Sequence, residues 1–246
     1  MTLGAANIYK IVSLNNEVIS YNTIMNQIKV DSNEHGKRPV FKKGSKYTQA
    51  LEALFIDGVK MSVTESVDII NVLNNEGIEN IVIGGIVVGC HSGRPRATQD
   101  IDIIIGSEPK PSVIKQIGKI VKSKKVEIHP SFISFIVKSV VGDREIVDLI
   151  TSRAGSYGLV FNNFIEIKIN STLIKIPTVE MLIVLKYTAA VNPIRSLAKK
   201  SQDWADIYSI IDVNDKMNIQ SIIRMANSIV PGYGDDLERK IMDVMR

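Results

Sequence analysis

Apolar residues along the middle of the chain recur with two different periods. Val67, Ile70 and Leu73 follow helical spacing, Thr64 stands where a cap belongs and Gly77 where a helix closes, so a helix is predicted over about 64–75. Short β-branched stretches bounded by turn residues follow at Asn80–Ile83, Asp100–Ile105, Val126–His129, Phe132–Lys138, Glu145–Ile150, Phe164–Ile169 and Leu173–Ile176, and each reads as a strand. Helices are predicted between them at about 85–92 and 112–123, the second introduced by Pro111 and Ser112. Beyond Pro177 the strand signal stops and helical patterns cover about 179–191, 199–212, 217–228 and 235–245, with Thr178 capping the first and Pro231-Gly232 separating the last two. The pattern predicts an α+β (α/β) fold: a mixed β-sheet flanked by helices, with a C-terminal helical bundle.

The first sixty residues read differently. The segment HGKRPVFKKGSK carries Lys37, Arg38, Lys42, Lys43 and Lys46 with no acid, which predicts an exposed basic loop. A short element near Ile8–Ile28 and a helix from about Tyr47 to Phe55 are expected around it. Three regions result: an N-terminal extension with the basic loop over 1–61, a sheet domain over 62–177 and a helical domain over 178–246. With Phe41 and Tyr47 nearby, the basic segment suits either a nucleic-acid backbone with a stacked base or a solvated loop, and both readings stay open.

Composition narrows the chemistry. With 45% hydrophobic residues over 246 positions the chain can bury a real core, which excludes a disordered tail. The longest apolar run, Ile81–Cys90, is broken by Gly84, Gly85 and Gly89, and it has about half the ~20 residues of a membrane span. No membrane partner is therefore expected. The opening MTLGAANIYK lacks the charged-then-apolar pattern of an export leader, so a cytoplasmic location is expected. Cys90 is the one cysteine, and His35, His91 and His129 have no ligand spacing, so any metal is expected on oxygen ligands. Cys90 and His91 read as packing, because no Asp or Asn positions a base beside the thiol. The formal charge of +4 permits a nucleic-acid partner without requiring one.

The most informative stretch is IVIGGIVVGCHSGRPRATQDIDIII, residues 81–105. A buried strand enters Gly84-Gly85, whose missing side chains allow a tight turn and leave room for a ligand beside the next helix. After a loop with Arg94 and Arg96, alternation along the next strand puts Thr98, Asp100 and Asp102 on one face and Ile101 and Ile103 on the other. Asp148, in REIVDLI, stands in a further apolar strand. Three such carboxylates repel one another and call for a cation, and an all-oxygen donor set suits Mg²⁺.

The order of strand, Gly-Gly, short helix, Arg-rich loop, T-x-D-I-D and a V-D-L strand about 46 residues on resembles the polymerase-β-like nucleotidyltransferase superfamily. More narrowly it is similar to the bacterial branch of abortive-infection and toxin–antitoxin nucleotidyltransferases, in which Gly-Gly replaces the usual Gly-Ser. KIPTVEMLIVLKYTAA and KKSQDWADIYSII resemble that branch's lysine helix and its later acidic helix, so the resemblance spans roughly 62–213 and leaves out the first sixty residues.

The resemblance implies a nucleotidyltransferase-type sheet and a set of roles. Gly84 and Gly85 match the turn that approaches the nucleotide phosphates; Asp100 and Asp102 match two metal-binding catalytic carboxylates; Asp148 matches the third, which shares a metal and helps deprotonate the attacking hydroxyl. Lys186 matches a lysine near the triphosphate, Asp203 and Asp206 match the later acidic pair, and Arg96 and Thr98 are expected beside the phosphates. Gln202 stands where the branch often has Lys, with Lys199 or Lys200 as replacement. Implied with these are two Mg²⁺ ions, an NTP substrate and release of pyrophosphate. The implied acceptor is a hydroxyl of RNA, especially tRNA, or of a protein, in the setting of a toxin with an antitoxin partner or of phage defence. A small-molecule (antibiotic) nucleotidyltransferase and a non-catalytic nucleic-acid- or partner-binding protein that retains the fold are the alternatives. Trp204, the one tryptophan, is expected to pack against the sheet domain.

Overall fold

Isoleucine and valine fill the strands that carry the fold. The computed structural model of the chain describes residues 11–12, 18–19, 40–41, 63–94, 100–139, 142–151, 156–169 and 171–245. Three two-residue strands, β1 (Ile11–Val12), β2 (Val18–Ile19) and β3 (Val40–Phe41), lie in the first sixty residues. The expected helix at Tyr47–Phe55 and most of the basic segment lie outside the described residues, as do Arg96 and Thr98.

A five-stranded sheet has the order β4-β5-β8-β7-β6, from β4 (Asn80–Ile83), β5 (Ile101–Ile105), β6 (Lys125–Ile128), β7 (Phe132–Ser139) and β8 (Gly142–Thr151). Only β5 and β8 run parallel; the other neighbours are antiparallel, so the sheet is mixed as the sequence predicted. All residues of β5 but Asp102 are buried, as a strand covered on both faces requires. Strands β9 (Phe164–Ile169) and β10 (Thr172–Pro177) leave this sheet and form an antiparallel hairpin of their own, with β3 parallel to β9. The two strands pair from Ile169 with Thr172 onward, and β10 packs across β4.

Helices fall where the apolar spacing placed them. Helix α1 (Val63–Asn75) ends at Gly77, whose φ of +69° suits glycine, and it packs beside α3 (Pro111–Ile120). Between them in sequence, α2 (Gly85–Ser92) is buried along its full length. A four-residue helix, α4 (Tyr157–Val160), has too few residues to show a period and went unpredicted.

The C-terminal helices are α5 (Val179–Val191), α6 (Leu197–Ile211), α7 (Ile219–Ile229) and α8 (Tyr233–Met245). Thr178 caps α5, accepting a bond from Met181 N at 3.2 Å, and Met181–Tyr187 are buried all round, which makes α5 the core helix of this region. Its neighbours α6 and α7 pack on it, and α6 also touches α2. One apolar cluster runs from Val67 on α1 through the sheet to Ile241 on α8. Trp204 packs against the core cluster, with its ring edge-on to Tyr187, stacked on Tyr208 and under Lys240. Among the described residues no helix is long and apolar enough to cross a membrane.

Candidate active site

A row of paired residues, polar from β5 to β6, crosses the sheet at Asp102. Ile83, Asp102, Asp148, Ser134 and Glu127 pair successively across β4, β5, β8, β7 and β6. Paired positions share a face, so Asp102 and Asp148 stand side by side on adjacent parallel strands. Asp100 immediately precedes β5, two residues before Asp102. Asp102 and Asp148 are thus side by side, and the charge of Asp100 acts on both.

Their electrostatics show the crowding. Burial, then the charges of Asp100 and Asp148, push the Asp102 carboxyl up to about 7; the charges of Lys186 and Arg195 oppose this. Burial also raises Asp148, whereas a hydrogen bond from Ser134 Oγ to its Oδ1 holds it down. Ser134 is itself fully buried. Sequence reasoning missed it, although a serine in the middle of FISFIV was the available signal.

Gly84 completes this side. It ends β4 and precedes α2 with φ +80°, and a Cβ there would fall 2.1 Å from Asp102 Oδ2. The first glycine of the pair is therefore required twice, by its backbone angle and by the carboxylate against its Cα. Asp102 consequently sits at the N-terminal end of α2, where the helix dipole favours negative charge. Gly85, the first residue of α2, is buried.

Facing the acids is an ion-pair network on α5 and α6. Lys186 Nζ lies 2.7 Å from Asp206 Oδ2 and 3.2 Å from Asp203 Oδ1. Arg195, in the α5–α6 turn, places Nε 2.5 Å from Asp203 Oδ2 and a terminal nitrogen 3.3 Å from Oδ1. Gln202 donates to Asp206 Oδ1 at 3.0 Å. Lys186, Asp203 and Asp206 are buried. Lys186 is thus enclosed by carboxylates, and its charge and that of Arg195 both act on Asp102.

Arg195 and Tyr157 were not foreseen. Tyr157 on α4 is raised by burial and by the charges of Asp102 and Asp203. The charge of Lys199 acts on Asp148. Lys200 is half-buried on α6 and forms no ion pair among the described residues. Arg94 is engaged by Asp212 at 2.6 Å. Cys90 is buried, and burial pushes its thiol far above the range of a nucleophile. His91 Nε2 donates to the Pro177 carbonyl at 2.8 Å, a structural bond between α2 and β10.

Among the described residues no group of three or more acidic, histidine or cysteine side chains is gathered as a metal site. The donor chemistry nevertheless fits a hard cation: three carboxylates at adjoining positions, two with raised affinity for protons, and Gly84 keeping bulk away from Asp102.

No family model matches the chain, and neither does any curated protein. Among solved structures, it is similar to an antigenic nucleotidyltransferase-like protein from Paracoccidioides brasiliensis at 16% identity and TM-score 0.44, over 77% of this chain and 93% of that one. It is similar to the lincosamide antibiotic adenylyltransferase LnuA, lincomycin-bound, at 16% identity and TM-score 0.42, over 61% of this chain and 98% of that one. A third is the antibiotic-resistance factor ANT(2'')-Ia, at 14% identity and TM-score 0.41, over 74% of this chain and 97% of that one. What each of them acts on is a property of that protein.

Proposed function

We propose that the chain is a Mg²⁺-dependent nucleotidyltransferase that moves a nucleoside monophosphate from an NTP to an acceptor hydroxyl of RNA or protein. The observation that carries this reading is the in-register pair of Asp102 and Asp148 on parallel strands, with Gly84 against one carboxylate and Asp100 two residues before it.

Asp100, Asp102 and Asp148 would hold the cation. Bound there, Mg²⁺ supplies positive charge to the phosphate oxygens and acidity to the acceptor hydroxyl. The chain's own residues do the rest. Asp148 accepts the proton of the attacking hydroxyl on Oδ2, since its Oδ1 is held by Ser134. The acceptor oxygen forms a bond to the α-phosphorus, the bond from that phosphorus to its β-bridging oxygen breaks, and pyrophosphate leaves with the electron pair. Lys186 and Arg195 set positive charge opposite the acids, so the highly charged pyrophosphate is not expelled into an all-negative site.

The test is turnover by an Asp100→Ala/Asp102→Ala double variant. Incubation with each α-labelled NTP, Mg²⁺ and cellular RNA or protein fractions is expected to label one fraction with the unaltered chain and none with the variant, at unchanged far-UV circular dichroism. Labelling retained in the double variant refutes the reading.

A further inference from the structure

Lys186 on α5 and Arg195 in the following turn face two buried carboxylates on α6, yet the two cations differ in what they have left to give. The Lys186 side chain is 11% exposed and touches both Asp203 and Asp206, whereas the Arg195 side chain keeps 34% of its surface open. A guanidinium carries five N–H donors in a planar fork. Arg195 spends one edge, Nε and one terminal nitrogen, on Asp203. The remaining donors are directed away from that carboxylate.

The turn that carries Arg195 is fixed. Asn192 Oδ1 accepts from Ile194 N at 3.0 Å, Arg195 N donates to Asn192 O at 3.2 Å, and Ser196 caps α6 by accepting from Lys199 N at 3.4 Å. The residues flanking Arg195 stand in solvent, Ile194 at 93% and Leu197 at 81% exposure, so the guanidinium sits between the surface and the buried network. From there its charge reaches Asp102 and Tyr157. A cation that is aligned by a buried acid, a third open to solvent and within electrostatic reach of Asp102 is suited to receive a polyanion.

We propose that Arg195 is the residue that grips the phosphate chain of the nucleotide, that Asp203 orients its fork, and that Lys186 organises the buried acids instead of contacting phosphate. This rests on the nucleotidyl-transfer reading and changes which cation does the binding. Arg195 keeps its Nε edge on Asp203 while its outer nitrogens take phosphate oxygens, so binding does not strand a buried carboxylate.

The experiment is calorimetric titration of the full chain with Mg²⁺-tripolyphosphate and with each Mg²⁺-NTP, for the unaltered protein, Arg195→Ala and Arg195→Lys. Tripolyphosphate reports the phosphate contact without a base or sugar. Arg195→Ala is expected to weaken both probes about 10- to 100-fold, the range for loss of a charged hydrogen-bonding group. Arg195→Lys keeps a cation for Asp203 and is expected to retain the unfolding temperature while binding about tenfold more weakly, because an ammonium lacks the fork. Wild-type affinity in Arg195→Lys together with an unchanged or proportionately destabilised Arg195→Ala overturns the proposal. Absence of binding by the unaltered chain overturns the transferase reading itself.

Discussion

The Cα of Gly84 lies directly against Asp102 Oδ2, so close that a Cβ would stand 2.1 Å from the oxygen. The turn between β4 and α2 and the acid on β5 are therefore one unit: the backbone of the first leaves the space the second occupies. The +80° φ of Gly84 adds a conformational demand on the same residue.

Gly84→Ala is expected to lower stability by about 1–3 kcal/mol, the cost of a strained angle plus a displaced side chain. Replacing Asp102 by Ala as well removes the clash but not the angle. The double variant should thus recover part of the loss in urea unfolding, and strict additivity of the two changes counts against the contact.

Asp102 also sets a pH dependence. Its carboxyl ionises at about 7 in the folded chain against an ordinary 3.8, so the native state holds the proton more tightly than the unfolded chain does. That contribution to stability is fully present below 3.8 and is lost as pH rises through about 7. In EDTA, Asp102→Asn should raise stability above neutrality by on the order of 2 kcal/mol, allowing for screening at a partly exposed group, and change little at pH 4. Added Mg²⁺ should stabilise the unaltered chain more than the variant. Denaturant melts from pH 4 to 8 decide it; an Asn variant less stable at pH 8 refutes it.

Ser134→Ala removes the donor that holds Asp148 Oδ1. The Asp148 carboxyl should then rise further, moving the acid limb of the kcat profile to higher pH, with kcat about tenfold lower at neutral pH and KM for NTP little changed. Ser134→Thr, which keeps the hydroxyl, should restore the profile. A uniform drop in folded protein with an unshifted limb indicates packing alone.

Lys186→Met leaves Asp203 and Asp206 buried without their ammonium. Loss of one partner of a buried ionic group costs about 3–5 kcal/mol, read as a fall in thermal midpoint. Asp206→Asn in the same chain should return part of it. Full stability of the single variant would contradict the buried network.

Much of the fold was legible because burial imposes a period. Of the seven predicted strands two match at both ends and four differ by one residue at one end or both, and α5 was outlined to the residue as Val179–Val191, since continuous apolar runs mark elements enclosed on every side. What the pattern hides is pairing. Nothing local in FIEIKI and TLIKIP says that they leave the main sheet, and nothing local places Tyr187 of α5 and Lys240 of α8 against Trp204.

The sequence by itself determined the α+β class, the Gly-Gly turn and the acids Asp100, Asp102 and Asp148, because a carboxylate within an apolar strand is conspicuous wherever the strand finally sits. Only the tertiary structure decided that Asp102 pairs with Asp148, that Ser134 serves the latter, and that Arg195 shares Asp203 with Lys186. These partners lie far apart in the chain or on a turn without a period, and hydrogen bonds and ion pairs depend on distances of a few ångströms that register and helix packing set, not on neighbours in sequence.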